Sequence, residues 1–259
     1  DWSSDVCSSD LAHSALLHET GDVNELLIEN TGDVDLFIQA GDIVKGGRQD
    51  RTIGADFIVP ARSGRIPLPA YCVERSRWHR RDVEPDAHFS ASRDFLASKK
   101  ARIALRLAKD QGEVWKSVAE EQASLSDALR AEVRSEASPT SLQLTYESAG
   151  VKHALEDYLS LLERAPAAAG GDVIGVVWAI NGEPSHADRY VTPRLFAKLW
   201  RKLLRAAATD AIAHRRDGGS PPAAPSSTEI AAWLEGKAPG RPRRPEEEQL
   251  PPRTLLRTH

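Results

Sequence analysis

Residues 26–74 read LLIENTGDVDLFIQAGDIVKGGRQDRTIGADFIVPARSGRIPLPAYCVE, and their pattern decides the fold. Short apolar runs alternate with turn formers: LLIEN is closed by Thr31-Gly32-Asp33, LFIQA by Gly41-Asp42, and FIVP by the segment from Pro60 to Gly64. No helical period intervenes, so these runs read as strands that pair antiparallel through tight turns. In the last run, alternation puts Ile66, Leu68, Ala70 and Cys72 on one face. Pro67 and Pro69 have no N–H to give a sheet ladder, which predicts that this strand is an edge or is bulged.

Outward from this stretch the period changes. Over residues 91–133, Ile103, Leu105, Leu107, Val114, Trp115, Val118 and Leu125 recur mostly at three or four, predicting helix with a break or bend at Gly112. A second helix is predicted from Ser138-Pro139-Thr140 to about Arg164, stopped by APAAAGG. Strand character returns with DVIGVVWAI, and Asn181-Gly182 is a hairpin signal with a return through Tyr190. Thr192-Pro193 then opens a helix whose apolar stripe is Leu195, Phe196, Leu199, Trp200, Leu203, Leu204 and Ala207, with Lys198, Arg201, Lys202 and Arg205 pointing elsewhere. The fold class is therefore α+β, an antiparallel sheet or sandwich core made of the first strands and the later hairpin, packed with three or more helices.

Both ends differ from this middle. The chain has no methionine. Its opening DWSSDVCSSDL has neither a basic n-region nor an apolar h-region and reads as a translated sequencing adapter, so residues 1–11 are set apart as foreign. On this reading an opening strand is missing, and residues 12–215 form one domain. Residues 216–259 form a proline-rich tail, with linker-like DGGSPPAAPSS, one short helix in STEIAAWLEGK capped by Ser227 or Thr228, and a disordered remainder.

Setting the front aside alters the charge and the cysteine count. Asp1, Asp5 and Asp10 lie in it, so the rest carries −1 against −4 for the whole chain. Cys7 lies in it too, leaving Cys72, which cannot form an internal disulfide. A near-neutral chain with no disulfide framework and no apolar run of about eighteen residues predicts a cytoplasmic protein that neither spans a membrane nor binds nucleic acid generally. The basic residues of the last helix and of GRPRRP read as solvated charge.

The residue types that carry chemistry are few. Lys45-Gly46-Gly47-Arg48-Gln49-Asp50-Arg51 combines two glycines, which let backbone amides approach an anion, with three cations, and arginine offers a planar fork for phosphate or carboxylate. Gln49 suits a neutral polar group. The spacing fits neither the Walker loop nor the dinucleotide-binding glycine pattern. Against ligand binding stands the plain reading of a solvated turn. Glu74 shares a face with Cys72 and suits pairing with Arg48 or Arg51, which orders the loop. Cys72 is read as a small buried residue rather than a nucleophile, although Arg75, Arg77 and His79 lie close in sequence. Cys72, Glu74 and His79 lack metal-ligand spacing, so no metal is expected. Trp78, Trp115, Trp178 and Trp200 fall on apolar stripes and read as core or rim, and Glu183 and Asp188 have no evident partner.

Taken together and in order, these segments resemble a bacterial domain family named for its association with ADP-ribosylglycohydrolases and with rhodanese and phosphatase-superfamily proteins. The likeness rests on the Gly46 to Arg51 turn, Val59-Pro60, Cys72-Val73-Glu74 with Arg77 and Trp78, Gln111 to Trp115, Ser138 to Thr140, Ala179 to Gly182 and Leu195 to Leu204. It spans roughly residues 13–213. The family pattern has asparagine where this chain has Asp50. The resemblance implies a place near NAD or ADP-ribose processing. Two functions follow. One is a domain that binds a small anion, ADP-ribose-like or nucleotide-like, through Lys45 to Arg51 and Glu74. The other is a non-catalytic interaction module accessory to a partner enzyme. No complete catalytic constellation is present in the sequence, so whether the chain is an enzyme stays open, and no cofactor is expected.

Overall fold

A computed structural model describes residues 6–7, 15–75, 77, 89–107, 110–216, 218, 222–236 and 256–257. The strands are β1 (Val6–Cys7), β2 (Ala15–Glu19), β3 (Glu25–Asn30), β4 (Leu36–Ile38), β5 (Asp42–Lys45), β6 (Arg51–Ile53), β7 (Phe57–Val59), β8 (Ile66–Cys72), β9 (Ser90–Leu96), β10 (Gly175–Ile180), β11 (Glu183–Arg189) and β12 (Leu256–Arg257). The helices are α1 (Lys99–Leu107), α2 (Gln111–Leu129), α3 (Leu142–Glu147), α4 (Ala149–Leu162), α5 (Ala165–Ala169), α6 (Pro193–Ala213) and α7 (Ser227–Leu234). None is long and apolar enough to cross a membrane.

Six strands form an antiparallel sheet in the order β2-β3-β8-β6-β5-β9. The antiparallel pair β4–β7 makes a second layer, flanked by the two-residue strands β1 and β12. The two layers bury one cluster that includes Leu26, Ile28, Leu36, Ile38, Phe57, Val59 and Leu68. A second cluster lies under the helices, where Val114, Val118 and Leu125 of α2, Tyr146 of α3 and Val151 and Leu155 of α4 meet Ile43 and Phe95. The third joins the β10–β11 hairpin to α6, with Trp178 stacked on Trp200 at 5.4 Å. Each large apolar side chain buried in this way contributes about 1.5–3 kcal/mol.

The antiparallel α+β architecture agrees with the sequence. Asn181 (φ 53°) and Gly182 (φ 81°) supply the two left-handed residues of the hairpin turn. The Thr192 side chain accepts from the Leu195 N–H and caps α6, whose whole expected stripe is buried.

Several expectations are corrected. Residues 90–96 are a strand rather than helix, because the residue partners Asp42–Leu96, Val44–Ala91 and Lys45–Ser90 align them on β5. The helix expected from residue 140 to 164 is two helices, α3 and α4, parted where Ser148 turns extended (φ −60°, ψ 145°) and caps α4. Residues 165–169 form a short helix, ended at Gly170 (φ 114°), rather than a stop. Strand β8 lies inside the sheet and not at its edge. Its front half (Ile66–Pro69) pairs with β3 and its rear half (Ala70–Cys72) with β6, so the prolines sit where only one side is paired in register. Lys202 does not point outward as Arg201 does; it is buried and its ammonium donates to Asp42 at 2.8 Å, and Arg205 too is largely covered, over the Phe95 ring. The α7 cap is Ser226, in a complete capping box with Glu229. The tail beyond residue 236, expected to be disordered, falls outside the described residues except for Leu256–Arg257, as do Trp78, His79 and most of the segment 1–11.

Candidate functional site

The loop between β5 and β6 turns on Gly46 (φ 122°) and Gly47 (φ 56°). A side chain at 47 would strike the Phe89 ring at 2.5 Å and a Glu19 carboxylate oxygen at 2.6 Å, so glycine is needed for space as well as for φ. The turn then carries Gln49, Asp50 and Arg51 inward, where all three are buried, as are Glu74 and Arg77 on the segment that follows β8.

These side chains bind one another, with Arg51 Nε left outside the hydrogen bonds. Glu74 Oε2 accepts from the Asp50 N–H at 3.0 Å and from Arg77 Nη2 at 2.8 Å. Asp50 Oδ1 accepts from the Gly46 N–H at 3.2 Å, and its Oδ2 accepts from the Ser141 hydroxyl at 2.9 Å. Gln49 Nε2 donates to the Glu74 carbonyl at 3.0 Å while its Oε1 accepts from Arg51 Nη1 at 2.6 Å. Arg51 Nη2 lies 3.6 Å from Glu19, and Arg77 Nη1 donates to the Gly47 carbonyl at 3.0 Å. Two guanidiniums thus face the carboxylates of Asp50, Glu74 and Glu19. Burial of charge at this depth is tolerated because partners and hydrogen bonds replace water.

Of the residues expected at a binding loop, Gly46, Gly47, Gln49, Asp50, Arg51 and Glu74 converge on this network. Arg48 does not. Its N–H donates to Glu19 at 3.0 Å and its side chain is exposed. Lys45 leaves in another direction, and its ammonium donates to both oxygens of Glu147 at 3.0 and 3.1 Å. Glu74 orders the loop as expected, through the Asp50 amide and Arg77. Asp50 suits its place as a carboxylate, since both oxygens accept and a guanidinium lies 3.5 Å away. Glu19, Ser141 and Glu147 were not foreseen, because nothing local links them to the loop. Only Ser141, following Ser-Pro-Thr before an apolar run, carried a signal, as the α3 cap that it is.

Cys72 adjoins the network and is fully buried. Its thiol donates to the Glu74 carbonyl at 2.9 Å, and the Gln111 side chain bridges its backbone, accepting from the Cys72 N–H and donating to its carbonyl, both at 2.8 Å. Burial pushes the thiol pKa up, outweighing the Glu74 hydrogen bond and the nearby Arg51 charge. Among the described residues no group of His, Cys, Asp and Glu side chains is placed to hold a metal ion.

Beyond Lys45 a groove of about 520 Å³ opens between β9 and the helices α3, α4 and α6. Phe95 forms part of its wall beneath the Arg205 guanidinium, which lies 5.3 Å above the ring. Asp94 faces Arg201 and Arg205 at 3.4 and 3.8 Å. Burial pushes the Glu147 carboxyl up, but hydrogen bonds from Gln143 and Lys45 prevail and leave it below its ordinary value.

The model of the ARG and Rhodanese-Phosphatase-superfamily-associated Protein domain, ARPP-1, matches residues 10–251. The chain belongs to that family. No curated protein and no solved structure matches it. The segments that carried the resemblance take distinct places in this ARPP-1 domain. The Gly-Gly turn and Cys72-Val73-Glu74 contribute to the buried network, Gln111 ties it to α2, Asn181-Gly182 turns the β10–β11 hairpin, and Leu195 to Leu204 supply much of the third core.

Proposed function

We propose that this ARPP-1 domain is a non-catalytic accessory module that works beside a partner enzyme, with the loop 45–51 as an internal brace. One observation carries the reading: apart from the exposed Arg48 side chain, the cations of the loop and the Gly46 and Asp50 amides are turned onto the protein's own carboxylates and carbonyls. The Asp50 and Gly46 N–H groups, the Arg51 fork and the Lys45 ammonium each have a partner within the fold. The family's name supports association with an ADP-ribosylglycohydrolase or a rhodanese–phosphatase protein, and so a setting in NAD or ADP-ribose processing in the cytoplasm. Light scattering on the chain mixed with one enzyme of each class tests this. A complex of fixed stoichiometry with either is expected, and its absence with both overturns the proposal.

A second reading, in which the loop binds a small ADP-ribose-like or nucleotide-like anion, is favoured by the exposed Arg48 beside two glycines with positive φ. Calorimetric titration with ADP-ribose and NAD decides it. Heat that disappears in Arg48→Ala supports this reading, and no heat at millimolar ligand removes it.

A further inference from the structure

The wall of the groove beside β9 contains two buried polar atoms that the fold leaves without a hydrogen bond, the acceptor Gln143 Oε1 and the donor Arg205 Nε. Gln143 is 3% exposed and lines the groove. Its Nε2 donates to Glu147 at 2.8 Å, which fixes which end of the amide is oxygen, and the Oε1 has no hydrogen-bond partner. A buried acceptor left in this state is costly, so a donor brought to it by a ligand is favoured.

The charges of the lining set the class of that ligand. Lys45, Lys152 and Arg205 are matched by Asp94, Glu147 and Glu156, three cations against three carboxylates. Lys45 is held by Glu147, and Arg205 lies beside Asp94. A free anion meets as many carboxylates as cations, and a free cation meets the converse. A hydroxyl both donates and accepts, so a neutral ring with several hydroxyls suits alternating carboxylate, amide, ammonium and guanidinium groups. The volume lies within the usual range for small-molecule sites, roughly 300–1,000 Å³.

We infer that the groove between β9 and the helices α3, α4 and α6 binds a neutral polyhydroxylated ligand, a free sugar or the sugar of a nucleoside, with Gln143 and the flanking carboxylates accepting from its hydroxyls. The inference does not rest on the accessory role proposed above: Lys45 and Glu147 line the groove, but Arg48 and the buried network take no part in it.

Ligand-observed NMR and calorimetry on the full chain test it with D-ribose, adenosine and inorganic phosphate as probes. D-Ribose or adenosine is expected to bind, and Gln143→Leu and Glu156→Ala are each expected to weaken that binding about tenfold, roughly 1.4 kcal/mol. Glu156 is an exposed residue of α4, so its variant reports even where Gln143→Leu fails to fold. Equal affinity for the two probes identifies a free sugar, and tighter adenosine identifies a nucleoside; both support the polyhydroxyl class. The inference is overturned where neither probe binds at millimolar concentration, where Glu156→Ala binds as the parent does, or where phosphate binds more tightly than either.

Discussion

Glu74 joins the β5–β6 turn to the segment that follows β8. It receives the Asp50 amide and the Arg77 guanidinium with none of its own surface exposed. Removing it leaves Arg77 and the Asp50 N–H short of their acceptor in a dry site, so Glu74→Ala is expected to cost about 3–5 kcal/mol in urea unfolding. Arg48→Ala, on the exposed tip of the same loop, is expected to stay within about 0.5 kcal/mol of the parent. Equal losses for the two would contradict the brace. Cys72 provides a chemical counterpart. With its thiol buried and its pKa raised, it is expected to resist iodoacetamide at neutral pH until the protein unfolds. Peptide mapping scores it apart from Cys7, and rapid native labelling of Cys72 would show that its environment is open.

Among elements, α6 is the one that ties the layers together, and it does so through a polar contact inside an apolar helix face. The Lys202 ammonium donates to Asp42 of β5 at 2.8 Å with both residues buried. Lys202→Met alone strands the Asp42 charge and is expected to cost about 3 kcal/mol or more, whereas adding Asp42→Asn is expected to restore a large part of it, a coupling readable in a double-mutant cycle. This contact also shows where sequence reading stops. The stripe of α6, its Thr192 cap and the Asn181-Gly182 turn were legible because each is fixed by residues within a few positions of one another. Lys202 was placed among outward charges because its partner lies 160 residues away. The strand β9 was missed for the same reason. Ser90–Leu96 has little intrinsic preference for extended structure, and pairing with β5 imposes it. At the candidate site, the glycine turn, the Arg51 fork and the Glu74 side chain were visible as chemistry, but their direction was not. Glu19, Ser141 and Arg77 decide that they face inward.

For the molecule as a whole, the helical core contains an acid that shifts the pH dependence of stability. Glu121 of α2 accepts from the Ser98 hydroxyl at 2.6 Å and from the Tyr146 hydroxyl at 2.7 Å. Burial, then the nearby Asp210 charge, raise its pKa to about 7, against the lesser opposing effects of those hydroxyls and Lys100. Asp210 is raised as well, chiefly by burial. A carboxyl raised on folding binds its proton more tightly in the native state, so its stabilisation is full below its unfolded value. It is lost as pH climbs from about 4.5 to about 7, an effect of about 3 kcal/mol at most. The urea midpoint is therefore expected to fall across this window, and Glu121→Gln to flatten the fall. Asp188 acts with the opposite sign. Burial pushes it up, but Arg102 and His186 outweigh that and hold it low, so its contribution fades only in acid.

The brace at the β5–β6 turn has a consequence for how the chain is made. Its acceptors and donors come from Glu19, Glu74, Arg77, Ser141 and Glu147, spread over more than a hundred positions. On the ribosome the turn is synthesised early, yet its charges wait for α3 to leave the exit tunnel before the last of them is neutralised. Until then Lys45 lacks Glu147 and Asp50 Oδ2 lacks the Ser141 hydroxyl, although Gly46 and Arg77 are already there for Asp50. Shortening the nascent chain ahead of residue 141 should leave this turn open to protease, and releasing a few more residues should close it.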